Sequence, residues 1–145
     1  MVAKVKAVCV SEKKGVVKKP VREIHVKPNH GIKNDAHAGE VHMQVSLLAS
    51  ESVNKLRRKM PNLEAGVFAE NILTSGIILH ELPVGTKLRV GKALLEITQI
   101  GKECHNEGCA IRQQTGDCVM PHEGIFAAVL EEGTIKSEDK IEVEK

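Results

Sequence analysis

The chain has no tryptophan, no tyrosine and two phenylalanines in 145 residues. Platforms for stacking nucleic-acid bases are thereby excluded, and a core must be assembled from Val, Ile, Leu and Ala. Such side chains pack well on pleated strands, so a mainly β domain is expected. An excess of one charge is lacking too: 21 Lys and Arg stand against 19 Asp and Glu, a net charge of +2, which leaves no basic footprint for nucleic acid. Long apolar runs are also missing. The opening Met1-Val-Ala-Lys-Val-Lys-Ala-Val alternates apolar residues with Lys, and no window reaches the length of a membrane span. The expectation is a soluble, cytoplasmic protein of one domain over 1–145, large enough to bury a core without disulfide or metal staples.

Apolar residues recur at period two along most of the chain. Val2 to Val10 alternates, with Val5, Ala7 and Cys9 on one face and Lys4 and Lys6 on the other; Val21 to Val26 resumes the pattern until Pro28, and the two runs predict a hairpin. Val41, Met43, Val45 and Leu47 predict a strand over 41–48. A helix is predicted over Ser50 to Lys59, opened by Ser50 and Glu51, loaded with Lys55, Arg57, Arg58 and Lys59 at its end, and stopped by Pro61. Beyond it, runs at 66–73, 76–80, 86–90 and 93–100 are separated by Gly or Pro at spacings that suit a barrel or sandwich. Ile125 to Leu130 and Ile141 to Val143 complete the strand-like segments.

Chemistry-bearing residues concentrate in two places. Gly101 to Gly124 carries Cys104, Cys109 and Cys118 with His105 and His122 among residues that interrupt helix and strand alike. Cys9, between Val8 and Val10, reads as core filling by contrast. In a reducing compartment the clustered thiols read first as reactive groups or metal ligands. Lys102, His105 and Arg112 are cations near enough in sequence to lower a thiol pKa, while Thr115, Gln113 and Gln114 suit a polar ligand. The second place is the polar loop Asn29 to Gly39, which holds His30, Asp35 and His37. Its Asn and Asp residues also suit plain turn geometry.

The ordered set Gly31-Ile-Lys-Asn-Asp-Ala-His-Ala-Gly39, Gln44-Val-Ser-Leu-Leu48, Gly66-Val-Phe-Ala-Glu-Asn-Ile72, Leu82-Pro-Val-Gly-Thr-Lys-Leu-Arg-Val-Gly91, the cysteine segment and Gly133-Thr-Ile-Lys136 resembles the MOSC domain family, named for the C-terminal part of molybdenum-cofactor sulfurase. The likeness is to its small stand-alone prokaryotic members. It implies a mainly β, MOSC-type β-barrel with a few short helices. It also implies a functional cysteine that receives sulfur or ligates the metal of the molybdenum cofactor (molybdopterin), and a partner from cofactor biosynthesis or sulfur donation. Pyridoxal phosphate binding is implied at the level of the family alone. Cys104 and Cys109 are the candidates for the catalytic and metal-ligating thiol. Lys33, Asp35, His37, Lys102, His105, Arg112 and Thr115 are the candidates for binding the cofactor.

One departure from the family pattern lies in Lys136-Ser-Glu-Asp139, where Glu138 stands at a position that small relatives usually give to Gly. The alternative for the cysteine segment is a structural zinc site built from Cys104, Cys109, Cys118 and His105 or His122. A third reading is a noncatalytic barrel that binds a small molecule. No partner among nucleic acids or membranes is expected.

Overall fold

The computed structural model describes residues 3–11, 18–33, 35, 45–57, 65–66, 70–100 and 124–144. Strands β1 (Lys4–Val10), β2 (Lys19–Val21), β3 (Glu23–Lys27), β4 (Gly31–Ile32) and β5 (Val45–Ala49) precede helix α1 (Ser50–Leu56); β6 (Ile72–Ser75), β7 (Lys87–Val90), β8 (Ala93–Ile100), β9 (Ile125–Glu131), β10 (Gly133–Lys136) and β11 (Ile141–Glu144) follow it. The mainly β expectation holds. One sheet runs in the order β11, β7, β8, β9, β5, β6, β1, β2, and a second runs β10, β3, β4. Pairing between described strands is antiparallel except for β5 and β6, which are parallel and joined across α1. The sheet is therefore mixed.

The small sheet lies against the large one, and Ile24, Val26, Ile32 and Ile135 join Val5, Val8, Leu47, Ile72, Leu95 and Ile97 in a single apolar cluster. Burial of such side chains contributes about 1.5–3 kcal/mol each, so this cluster is the main source of the fold's stability. Val45 to Ala49 is buried at every residue, because one face of β5 meets this core while α1 packs on the strand.

Several local expectations are corrected. Val5 and Cys9 do not share a core face: the register of β1 against β6 slips between Val5 and Ala7, and the bulge brings Val8 into the core with Val5. The run 21–26 is broken at Arg22, so β2 pairs with β1 through Val8↔Val21 while β3 turns into the second sheet. The helix ends at Leu56 with Arg57 as its cap, its N-cap is Ala49, and the Ser50 hydroxyl donates to Glu51 Oε1 without capping the backbone. Residues 58–60 lie outside the described set. Gly76 to His80 does not form a strand. It leads into a 3-10 turn at Leu79–Glu81 that buries Leu79.

Two hydrogen-bonded junctions organise the large sheet. Ile100 pairs with Ile125, so β8 and β9 bring the two ends of the cysteine segment together. At the other junction, the Val5 amide donates to Asp139 O at 2.8 Å, Glu138 N–H to Val5 O at 2.8 Å, and Ile141 N–H to Ala3 O at 2.9 Å. These bonds lay the start of β11 beside β1.

Glu138 has φ 78° in the turn after β10, a left-handed conformation that suits glycine and strains a side-chain-bearing residue. Its ion pair with Lys4 at 2.9 Å joins two largely exposed side chains and offsets little of that strain. Glu138→Gly is therefore expected to raise the thermal unfolding midpoint by on the order of a few degrees. A lower midpoint in a circular-dichroism melt would show that the Lys4 pair outweighs the backbone strain.

Candidate functional site

Where β1 ends and β5 and β6 begin, polar side chains enter the interior. Asn71 stands immediately before β6 and is almost completely buried. Its Oδ1 accepts from Ser46 N at 3.0 Å and from Ser46 Oγ at 3.1 Å, and its Nδ2 donates to Cys9 O at 3.0 Å. The Cys9 amide donates back to Asn71 O at 2.7 Å. The main-chain amide of Asn71 donates to Ser46 O at 3.0 Å, so its side chain joins Ser46 to Cys9 beside main-chain bonds to both. Leaving such groups unpaired would cost about 1–3 kcal/mol apiece.

Beyond Cys9 lies a buried ion pair. Lys18 Nζ meets Asp35 Oδ1 at 2.8 Å, and neither side chain has any solvent exposure. The same carboxylate oxygen accepts from the Ser11 amide at 3.1 Å, and Lys18 Nζ donates to Ser11 Oγ at 3.2 Å. The group ties together the end of β1, the entry to β2 and the loop after β4. Gly31, at φ 100°, and Asn29, at φ 62°, make the tight reversal between β3 and β4 from which that loop departs. The Asp35 amide donates to Ile32 O at 3.2 Å and fixes where the carboxylate begins.

Gly66 and Glu70 complete the cluster. The Lys18 amide donates to Gly66 O, and the Gly66 amide donates to Glu70 Oε2, each at 2.8 Å. Gly66 has φ 88°, and a Cβ there would stand 2.0 Å from Lys18 O. Only glycine permits this approach. Glu70 is fully buried. Cys9, a free thiol, is a fully buried core residue as its place between Val8 and Val10 suggests, and it also borders this cluster: burial pushes its pKa up from the ordinary 9.0 to about 12, the Glu70 carboxylate adds to the rise, and Lys18 opposes it.

Of the residues that the sequence nominates, the structure brings Asp35 into this cluster, facing inward. Lys33 is exposed on the same loop, its amide bonded to His25 O at 2.9 Å. Cys104, Cys109, His37, Lys102, His105, Arg112 and Thr115 lie outside the described residues, as do Cys118 and His122 of the zinc alternative. Among the described residues no group of three or more His, Cys, Asp or Glu is placed to hold a metal ion, and no helix is long and apolar enough to cross a membrane.

Lys18, Ser11, Glu70 and Asn71 escaped the sequence reading. Lys18 is hidden in Lys18-Lys19-Pro20, which looks like a solvated turn. Glu70-Asn71 does carry a signal: two polar residues interrupt the apolar run from Val67 to Leu73, and polar groups inside such runs are buried with partners.

The MOSC domain family model matches residues 34–142. No curated protein matches the chain. The fold is similar to that of the YuaD protein from Bacillus subtilis, with TM-score 0.81 and 22% identity over 99% of this chain and 96% of that one. It is also similar to YiiM from Geobacillus stearothermophilus, with TM-score 0.73, 18% identity and coverage of 99% and 75%. YiiM from Escherichia coli gives 0.67, 19%, 100% and 70%.

Removing one partner of the buried pair takes from the other its counter-charge at 2.8 Å. Lys18→Met is expected to cost about 3–5 kcal/mol, and Lys18→Met with Asp35→Leu to recover most of that loss; urea unfolding of both variants measures the difference, and equal losses would contradict the pairing. Cys9 adds an alkaline dependence. Below pH 9 the thiol keeps its proton in folded and unfolded chains alike; between pH 9 and 12 the unfolded chain loses it first, so stability falls by about 1.4 kcal/mol per pH unit through this group. Cys9→Ala is expected to flatten that fall, and a slope unchanged in the variant would assign it to other groups.

Proposed function

The chain belongs to the MOSC domain family, and on that premise we propose that it binds the molybdenum cofactor, or carries sulfur for metal–sulfur cofactor assembly, through the thiolate of Cys104 or Cys109. The observation that carries this reading is the family match over residues 34–142; inside that span Asp35, on a candidate loop, is held in a fully buried pair with Lys18. A buried ion pair is a poor device for stability, since apolar replacements of both partners are often neutral or better. Its use here is to hold Asp35, two residues beyond Lys33, against the end of β1. On that loop Lys33 offers an exposed ammonium to an anionic group, and Asp35 acts by anchoring.

The described thiol does not fit metal ligation or sulfur acceptance. Cys9 is closed off from solvent and holds its proton up to about pH 12, whereas both tasks need a thiolate. That task falls to Cys104 or Cys109, for which Lys102, His105 and Arg112 are the nearby cations in sequence. Soft molybdenum and sulfur chemistry favours cysteine over carboxylate, and the cofactor when bound would supply the redox-active metal. For sulfur transfer, the cysteine thiolate attacks the outer sulfur of a donor persulfide. A new S–S bond forms on this chain, and the donor leaves as its own thiolate. Thr115 and His37 remain assigned to ligand contact. The barrel form that the family implies belongs to this proposal, supported by the bonds from Ala3 and Val5 to residues 138–141.

Protein purified from cells is expected to carry molybdenum with pterin fluorescence, or sulfane sulfur released by cyanide. That content should be lost in Cys104→Ala or Cys109→Ala and kept in Cys9→Ala. Mild alkylation near neutral pH should reach Cys104 or Cys109 before Cys9. Stoichiometric zinc, with Cys104, Cys109 and Cys118 protected together until a chelator is added, would replace this reading with a structural zinc site. Slow labelling of all four cysteines with no bound metal or sulfur would leave a noncatalytic barrel.

A further inference from the structure

Glu70 has no part in the chemistry assigned to the loop cysteines, yet its fully buried side chain accepts from the amide of Gly66, the residue whose carbonyl accepts from the Lys18 amide. We infer that Glu70 is the positioning residue for the Lys18–Asp35 pair: it fixes Gly66, Gly66 fixes the main chain of Lys18, and only then does the ammonium meet Asp35. The inference rests on the reading of that pair as the anchor of the site.

The chain of bonds is short and directional. Glu70 Oε2 accepts from the Gly66 amide at 2.8 Å. The Gly66 carbonyl, one peptide unit away, accepts the Lys18 amide at 2.8 Å. The Lys18 carbonyl then packs into the space where Gly66 has no Cβ, at 2.0 Å from that missing atom. Lys18 is therefore bonded at its amide to one glycine, its carbonyl approaches that glycine closely, and the glycine amide is bonded to the Glu70 side chain. From this fixed main chain the side chain reaches Asp35 Oδ1 at 2.8 Å and Ser11 Oγ at 3.2 Å.

A lysine side chain carries much rotamer freedom, and placing its ammonium against one carboxylate where neither side chain is exposed to solvent requires a fixed starting point. Asn71, next in sequence, holds backbone and hydroxyl groups with an uncharged amide. The two neighbours thus divide the work, Asn71 joining strands and Glu70 setting the ion pair.

The test is competitive acetylation of amines on the full native chain, mapped by mass spectrometry, with Cys9 alkylation read in the same samples. In the wild type Lys18 should label far more slowly than the exposed Lys33 and Lys92. Glu70→Met, which fills similar space without an acceptor, should raise Lys18 labelling by about a hundredfold while Cys9 stays protected, as expected for local opening. Glu70→Gln, whose amide oxygen still accepts from Gly66, should restore the slow rate. Lys18 and Cys9 becoming reactive together in Glu70→Met would reduce Glu70 to a general stabiliser, and an unchanged Lys18 rate would remove it from the pair altogether.

Should Glu70→Met fail to fold, the wild type decides. In rising sub-denaturing urea, Gly66 amide exchange and Lys18 acetylation should share one opening equilibrium. Lys18 reactivity appearing while Gly66 stays protected would overturn the inference. None of these readouts involves molybdenum or transferred sulfur, so a negative cofactor assay leaves this inference standing, and its failure leaves the assignment of Cys104 or Cys109 untouched.

Discussion

Removing an ammonium and a carboxylate from water costs several kcal/mol per ion before they meet, and the Lys18–Asp35 contact returns that cost only if geometry and remaining hydrogen bonds are nearly complete. Much of the local architecture follows from this demand. Ser11 supplies an amide to the carboxylate and a hydroxyl to the ammonium. Gly66 clamps the Lys18 backbone, and the reversal at Asn29 and Gly31 aims the loop after β4 inward. Each contributor comes from a different stretch of sequence, so the pair can form only when the ends of β1, β2 and β4 are already in place. The cluster reports on the fold as much as it supports it.

The same end of the sheet shows how irregular strands are reconciled with a closed hydrogen-bond account. The bulge in β1 brings Val5 and Val8 to one side of the strand and leaves Cys9 facing the polar cluster. Past the regular pairs Ala7↔Leu73 and Val8↔Ile72 the ladder ends, and buried backbone groups there must find partners. Asn71 closes the account with side-chain atoms that imitate a peptide unit: one acceptor toward Ser46, one donor toward Cys9. Ser46 is buried on the otherwise apolar β5 because it is needed for this bridge.

Alternation of apolar residues made most strands legible, since a half-buried strand must repeat every two residues. β8, β9 and β11 begin at the residues where their patterns start. What failed was anything set by tertiary context. No local signal marks the slip between Val5 and Ala7, and Arg22 looks like an ordinary polar strand residue although the chain changes sheets there. Gly76 to His80 is apolar enough for a strand, but its residues continue into a 3-10 turn. In the candidate site Asp35 was legible because the loop around it is dense in polar residues, whereas Lys18 looked solvated. A lysine can enter the interior only through a carboxylate seventeen positions away, and no sequence window shows such a partner. The cysteine segment was legible by composition alone, and its residues lie outside the described set.

The pairing of Ile100 with Ile125 separates two histories within one chain. Because the sheet itself holds both ends of the intervening segment, lengthening or shortening that segment changes closure entropy only logarithmically, by about 0.6 kcal/mol per doubling. Selection can therefore rewrite the thiols, cations and glycines between these isoleucines from one lineage to the next while the strands that support them stay under a separate constraint. Descent in such a domain should be traced through the two strands, and divergence of chemistry through what hangs between them.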